Sequence, residues 1–254
     1  MNRPIALLTD FGSSDHYAGS IKSVILSINP KAVIFDITHE IRPHHVREGA
    51  YILNAVFRFL PKNCIVVGVV DPEVGSDRTA LCIKATDRFF LGPDNGLFSL
   101  ALKDQSFETR RITNDRFFLK PVSSTFHGRD IFSPCAAQLS TKNIFTDFGP
   151  LVTDIKHLNF SSPRKSENKI SGEIVYVDRF GNAMTNISKG SSSNISVKFS
   201  GRQVPLKPFF SAGRPGELIA LWNSGQILEL AVYNDSAERI HHLKIGDLVE
   251  VFES

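Results

Sequence analysis

A chain of 254 residues is long enough for one large domain or two modest ones, each with a hydrophobic core. Its 42% hydrophobic and 22% charged residues are ordinary for a soluble globular protein. With a net charge of only +3 and Lys and Arg scattered along the chain, no basic stripe exists to track a nucleic-acid backbone, so nucleic acid is excluded as an expected partner. The opening MNRPIALLTDFG carries an apolar run too short for a signal sequence or a membrane span, and no membrane partner is expected. Cys64, Cys82 and Cys135 are odd in number, far apart and set in apolar stretches. They read as buried thiols of a reducing compartment, which makes the cytoplasm the expected location.

In chain order, residues 4–9 (PIALLT) read as a buried strand and residues 17–28 (YAGSIKSVILSI) as an amphipathic helix. Residues 32–35 form a second strand and 47–59 a second helix, stopped by Pro61. The run CIVVGVV at 64–70 is apolar enough for a strand covered on both faces. Residues 80–85 and 88–91 follow as strands. The turn Pro93-Asp94-Asn95-Gly96 leads to a helix at Leu97, and 130–139 reads as a helix entered through an Asp130 cap. This alternation predicts an N-terminal α/β domain, residues 1–158, with a Rossmann-like, mostly parallel sheet. The polar stretch NFSSPRKSEN at 159–168 reads as a linker. Beyond it, 169–177, 195–199, 218–222, 227–232 and 248–252 are short strands separated by Gly, Asn and Ser turns with no helix between them. The second domain, 169–254, is therefore expected to be an antiparallel barrel or sandwich.

Parallel sheets collect ligands at the carboxyl ends of their strands. The first strand ends at Asp10 and the 64–70 strand at Asp71, each followed by a Gly-containing loop. Either residue alone reads equally as a turn cap; two on one sheet edge favour a site. A carboxylate such as Asp10 suits the paired hydroxyls of a ribose. No GxGxxG follows the first strand and no GxxxxGK[ST] occurs, so the ligand is nucleoside-like without an obligatory polyphosphate. In Phe126-His127-Gly128-Arg129-Asp130, His127 is either a satisfied loop histidine or a group aimed into a cleft. In Asp178-Arg179-Phe180-Gly181-Asn182, the plain reading is a hairpin turn. Its functional reading has Asn182 bonding an adenine edge and Phe180 packing on the purine face. Trp222-Asn223-Ser224-Gly225 carries the same pair of readings. His39, His44 and His45 crowd together, but Pro43 and the lack of helical spacing argue against a metal site.

Six segments, taken together, resemble one family. They are TDFG at 9–12, VVDPEVGSDR at 69–78, LGPDNGLFS at 91–99, TFHGRDIFSPCAA at 125–137, VDRFGNAMTNI at 177–187 and NSGQILELAV at 223–232. Their order and spacing are similar to the S-adenosylmethionine hydrolases, or hydroxide adenosyltransferases, relatives of fluorinase and chlorinase. The resemblance implies an N-terminal α/β domain, a C-terminal β-barrel and a homotrimer with substrate between subunits. It implies that Asp71, Arg78 and His127 gather around the attacking water. Asp10 would take the ribose, Asp178 the methionine amine and Asn182 the adenine, with Ser224, Glu229 and the backbone at Val232 closing over the ligand. The segments depart from the family pattern around Gly225–Gln226 and at Tyr233–Asn234.

The implied reaction is hydrolysis of S-adenosyl-L-methionine to adenosine and L-methionine by water attack at the ribose 5′ carbon. A sulfonium leaves as a neutral thioether, so no metal and no cofactor is expected. Asp71 and His127 would orient and partly deprotonate the water and Arg78 would stabilise hydroxide character, in a dry pocket lined by Phe126. The competing readings are a halide-using adenosyltransferase, against which Asp71 argues, and a non-catalytic adenosine or S-adenosylmethionine binding protein.

Overall fold

The computed structural model describes residues 2–192 and 194–253, and its contacts divide the chain into two compact units, Met1–Leu158 and Asn159–Ser254. The first unit begins with β1 (Ile5–Thr9), α1 (Tyr17–Ile28), β2 (Ile34–Thr38), α2 (Val46–Phe57) and β3 (Ile65–Val69). It continues through β4 (Ala80–Ala85), β5 (Arg88–Pro93), α3 (Ser99–Leu102), β6 (Phe107–Arg111), α4 (Ser133–Thr141) and β7 (Leu151–Val152). One sheet carries all seven strands in the order β2-β1-β3-β5-β4-β6-β7. The pairings from β2 to β5 are parallel. Those from β5 onward are antiparallel, because Thr86-Asp87 joins β4 to β5 too tightly for a crossover.

Every residue of β1 and β3 is buried, since helices cover both faces of the sheet. Alternation sends Ile5 and Leu7 to a core shared with Ile21 and Ile25 of α1 and Cys135 and Leu139 of α4. Ala6 and Leu8 go to the opposite core, with Leu53 of α2 and Ala101 of α3. Among the described residues no helix is long and apolar enough to cross a membrane.

Two expectations for this unit change. Strand β2 starts at Ile34 and not at residue 32, because the Ala32 amide is held in the turn that closes α1, bonded to Asn29 O. Asp130 is not a helix cap. It sits inside a π-helical turn, Gly128–Phe132, that precedes α4, and is fully buried. Its carboxylate accepts Arg129 Nε at 2.6 Å and the Ser123 amide at 2.8 Å, tying down the loop before His127.

The second unit holds β8 (Arg164–Ser166), β9 (Lys169–Val177), β10 (Ala183–Ser188), β11 (Ile195–Phe199) and β12 (Arg202–Val204). It ends with β13 (Leu218–Trp222), β14 (Ile227–Val232), α5 (Ala237–His241) and β15 (Leu248–Glu253). The sheet runs β12-β11-β15-β9-β10-β14-β13 with antiparallel pairings throughout, and β8 adds to β9. It nearly closes into a barrel where Leu206, just past β12, bridges Ala220 of β13. Ile174, Val197, Leu230 and Val249 lie in its interior. The stretch read as a linker thus contains a paired strand, and the half read as helix-free contains α5. That helix is too short to show a period and is capped by the Ser236 side chain, which accepts the Arg239 amide.

Gly68 and Gly92 lie side by side at the ends of β3 and β5. A Cβ on Gly92 would stand 2.3 Å from Gly68 O and 2.8 Å from the Phe98 ring. The bare backbone leaves room for the Phe98 ring, close to the turn whose Asn95 Nδ2 bonds Val70 O, next to Asp71. Gly92→Ala is expected to cost about 1–3 kcal/mol, as overpacking does. Urea unfolding measures it, and an unchanged midpoint would show that the strands yield instead.

Candidate active site

Strands β1 and β3 are adjacent and in register, Thr9 opposite Val69, so the residues just beyond them emerge together at the carboxyl edge of the sheet. A cavity of about 270 Å³ opens there, lined by Asp10, Asp71, Phe126 and His127 among others. Asp10 Oδ2 accepts the His44 amide at 2.8 Å. Phe126 meets Phe11 and Tyr17 edge to ring, with centroids 5.7 and 5.2 Å apart, and these aromatics form the apolar wall.

Arg78 joins the polar side. Its Nε donates to Asp71 Oδ1 at 3.0 Å, its Nη2 pairs with Oδ2, and the same Nη2 lies 2.8 Å from His127 Nδ1. The Arg78 and Asp71 side chains are 2% and 4% exposed. A guanidinium has no acceptor, so Nδ1 of His127 must accept and the ring's hydrogen resides on Nε2. Burial, and then the Arg78 charge, hold the imidazole below its ordinary pKa, which keeps it neutral. Gly75 makes the loop from Asp71 to Arg78 possible. It has φ +83° and passes so close to Ser124 that a Cβ would sit 2.1 Å from Ser124 O.

The second unit has its own cavity, of about 830 Å³. Asp178, Phe180, Asn182, Trp222, Ser224, Glu229 and Val232 all line it. The DRFGN segment is a tight turn between β9 and β10: Asp178 Oδ1 accepts the Phe180 and Asn182 amides, each at 2.9 Å, and Gly181 has φ +80°. One oxygen of Asp178 therefore maintains the turn, and the other is 3.5 Å from Asn182 Nδ2. Glu229, on β14, is 3% exposed. Burial pushes its carboxyl up to about 7, against a hydrogen bond from Asn223 and with a further push from the Asp178 charge. No Lys, Arg or His lines this cavity among the described residues.

The structure thus gathers the selected residues into two clusters, one per unit, with Arg78 set behind the first cavity and bonded to two of its lining residues. Sequence reasoning did not place Tyr17 and His44 in the first cavity or Phe209 and Phe210 in the second, and it left Tyr233, which lines the second, without a role. For Phe209 and Phe210 a signal existed: two adjacent aromatics in a loop, 57% and 43% exposed. Tyr17 is indistinguishable in sequence from the first residue of an amphipathic helix.

The chain matches the SAM hydroxide adenosyltransferase N-terminal domain over residues 5–149 and the corresponding C-terminal domain over residues 172–250. A Thermus thermophilus protein named (R)-S-adenosyl-L-methionine hydrolase is 34% identical, across 96% of this chain and 97% of its own. A Methanocaldococcus jannaschii protein of the same name is 32% identical, across 97% of this chain and 95% of its own. More distant, a fluorinase of an Actinoplanes species is 23% identical across 98% and 97%. Among solved structures, a conserved protein from Thermotoga maritima superposes with a TM-score of 0.90 at 34% identity, covering 98% of this chain and 100% of that one.

A carboxyl raised from 4.5 to about 7 keeps its proton in the folded state while the unfolded chain loses it. Stability therefore falls as pH rises from 4.5 through 7 and levels off above. Glu229→Gln removes this penalty. Relative to the wild type, its melting temperature should gain steadily across that interval and show little gain at lower pH. A difference independent of pH would mean that Glu229 titrates alike in the folded and unfolded chain.

Proposed function

The chain belongs to the SAM hydroxide adenosyltransferase family, and on that premise we propose that it is itself a hydrolase of S-adenosyl-L-methionine, forming adenosine and L-methionine with water. The observation that carries this reading is the chain Asp71–Arg78–His127, whose two outer members open on the same cavity as Asp10.

Water attacks the ribose 5′ carbon, the C5′–S bond breaks, and its electron pair stays on sulfur as the neutral thioether of methionine. The leaving group needs no acid and the reaction needs no cofactor; one proton must leave the water. With Nδ1 engaged by Arg78, His127 offers the water a donor, Nε2–H, and is no base. Asp71 is then the acceptor, since each of its oxygens keeps a second lone pair beside the bond to Arg78. Arg78 steadies the hydroxide character that builds on the water. Asp10 binds the ribose diol. A halide has no hydrogen for the Asp71 carboxylate to accept, so the set Asp71–Arg78–His127 would give it no help, and the fluorinase-like reaction is the weaker reading.

The second unit's residues serve the rest of the substrate. Asn182 reads the adenine edge and Phe180 covers its face; Asp178 meets the methionine ammonium; Trp222, Ser224, Glu229 and Val232 enclose the remainder. The relatives' names point to the (R) sulfonium epimer as substrate. The assembly is a homotrimer in which each site draws the first cavity from one chain and the second from another. The buried thiols Cys64, Cys82 and Cys135 suit a reducing compartment, and the cytoplasm is its location.

Asp71→Asn keeps shape and loses the charge, so substrate should still bind while turnover falls about 10²–10⁴-fold, the range for a positioned general base. In heavy-oxygen water the label should enter the adenosine 5′-hydroxyl. Label in methionine, or a halogenated nucleoside formed faster than adenosine when chloride is added, would overturn the mechanism.

Mixing inactive Asp71→Ala chains with inactive Asn182→Ala chains should restore part of the activity, because some mixed sites carry neither change. A monomer in sedimentation, or no rescue after verified exchange, would argue against shared sites.

A further inference from the structure

The reaction gives no task to the histidine group His39, His44 and His45, yet this segment is bound at several points to the end of β1. The His39 ring is 7% exposed. Its Nδ1 lies 2.7 Å from Thr9 Oγ1, and its Nε2 is 3.1 Å from Asp36 Oδ1, a carboxylate paired with Lys22 at 2.6 Å. Thr9 Oγ1 in turn receives the Phe11 amide at 3.3 Å. Nε2 faces a group that only accepts, and Nδ1 shares a hydrogen bond with the Thr9 hydroxyl. The bonds thus link the Phe11 amide through Thr9 to His39, whose Nε2 faces Asp36 at ion-pair distance, and they bracket Asp10 on both sides in sequence.

Two backbone contacts close the bracket. The Gly12 amide donates to His39 O at 2.7 Å, and the His44 amide donates to Asp10 Oδ2 at 2.8 Å. His44 reaches that carboxylate with φ +69°, a left-handed conformation that is costly for a side-chain-bearing residue and is kept only where surroundings impose it. Arg42 supports the loop from behind: its amide donates to Glu48 Oε1 at 3.3 Å and its Nε pairs with Oε2 on α2.

We propose that His39 is a positioning residue for Asp10: through Thr9 and the loop that carries the His44 amide, it fixes the carboxylate in the one orientation that accepts two vicinal hydroxyls, and so sets the enzyme's preference for ribose over 2′-deoxyribose. The inference rests on Asp10 being the ribose acceptor.

The test is calorimetric: the ratio of 2′-deoxyadenosine to adenosine dissociation constants in wild type, Asp10→Ala, Thr9→Val and His39→Gln, with thermal melting on each to confirm folding. Asp10→Ala should bring the ratio close to one. Thr9→Val, which keeps shape and deletes one hydroxyl, and His39→Gln should each lower it about three- to tenfold, the worth of one hydrogen bond, and raise KM more than they lower kcat. A merely structural His39 would reduce the active fraction and leave the ratio unmoved. A wild-type ratio in folded Thr9→Val and His39→Gln, beside a collapsed ratio in Asp10→Ala, overturns the inference and leaves the ribose reading intact. An unchanged ratio in Asp10→Ala overturns the ribose reading itself, and the inference with it. Should His39→Gln fail to fold, Thr9→Val decides alone.

Discussion

One guanidinium serves two acceptors from different loops, and most of the first unit's local geometry is arranged to let it. A buried ion pair is costly unless its geometry is good and its remaining hydrogen-bonding groups are satisfied. Arg78 meets that demand by gripping both oxygens of Asp71 and the Nδ1 of His127, with its guanidinium carbon 5.6 Å from the centre of the Phe132 ring. Asp71 must therefore leave β3 at a fixed place, which the Asn95 bond to Val70 O secures. The following loop must double back, which Gly75 permits by its contact with Ser124. The segment bearing His127 must be held rigid at its base, and the buried Asp130 does this through the Ser123 amide.

How far the sequence reveals this depends on the length scale of each cause. β1 and β3 are legible because burial on both faces leaves continuous apolar runs, and α1 because one face alone is apolar. Knowing both strands to be central and parallel already brings Asp10 and Asp71 to one edge. By contrast β10 hides: its buried positions are Ala183, Thr185 and Ile187, a mixture of small, polar and apolar residues that breaks the expected alternation. β6, Phe107–Arg111, is charged along most of its length and sits near the sheet's edge, so it too shows no apolar period. Asp130 misleads because an Asp ahead of an apolar run fits a cap; only the packed structure shows it turned inward to Arg129 and Ser123.

The site divides along the same line. Which residues gather at the two cavities was legible as residue types at strand ends and in Gly-bearing loops. Their protonation states were not, because those follow from contacts between distant segments. Forty-nine positions separate Arg78 from His127, and only their 2.8 Å contact reveals which ring nitrogen holds the hydrogen. Likewise Glu229 looks in sequence like any strand glutamate. Its raised pKa needs the burial of β14 between β10 and β13, together with Asp178 arriving from the turn before β10.

The two cavities differ in charge in a way that suits a cationic substrate. In the first, Asp71 is paired with Arg78, so in the proposed reaction its carboxylate is not drawn to the sulfonium and stays with the water. A bare carboxylate there would stabilise the positive sulfur in the ground state more than in the transition state, where that charge is disappearing, and would slow the reaction. In the second, Asp178 lines a cavity with no lining Lys, Arg or His among the described residues, and in the proposed complex it is the carboxylate that meets the ligand ammonium. In the proposed reaction, binding strength then falls on the amino-acid end, whose charge does not change, and is withheld from the sulfur, whose charge does. On that proposal Arg78 is as necessary for what it prevents Asp71 from doing as for the hydroxide character it supports.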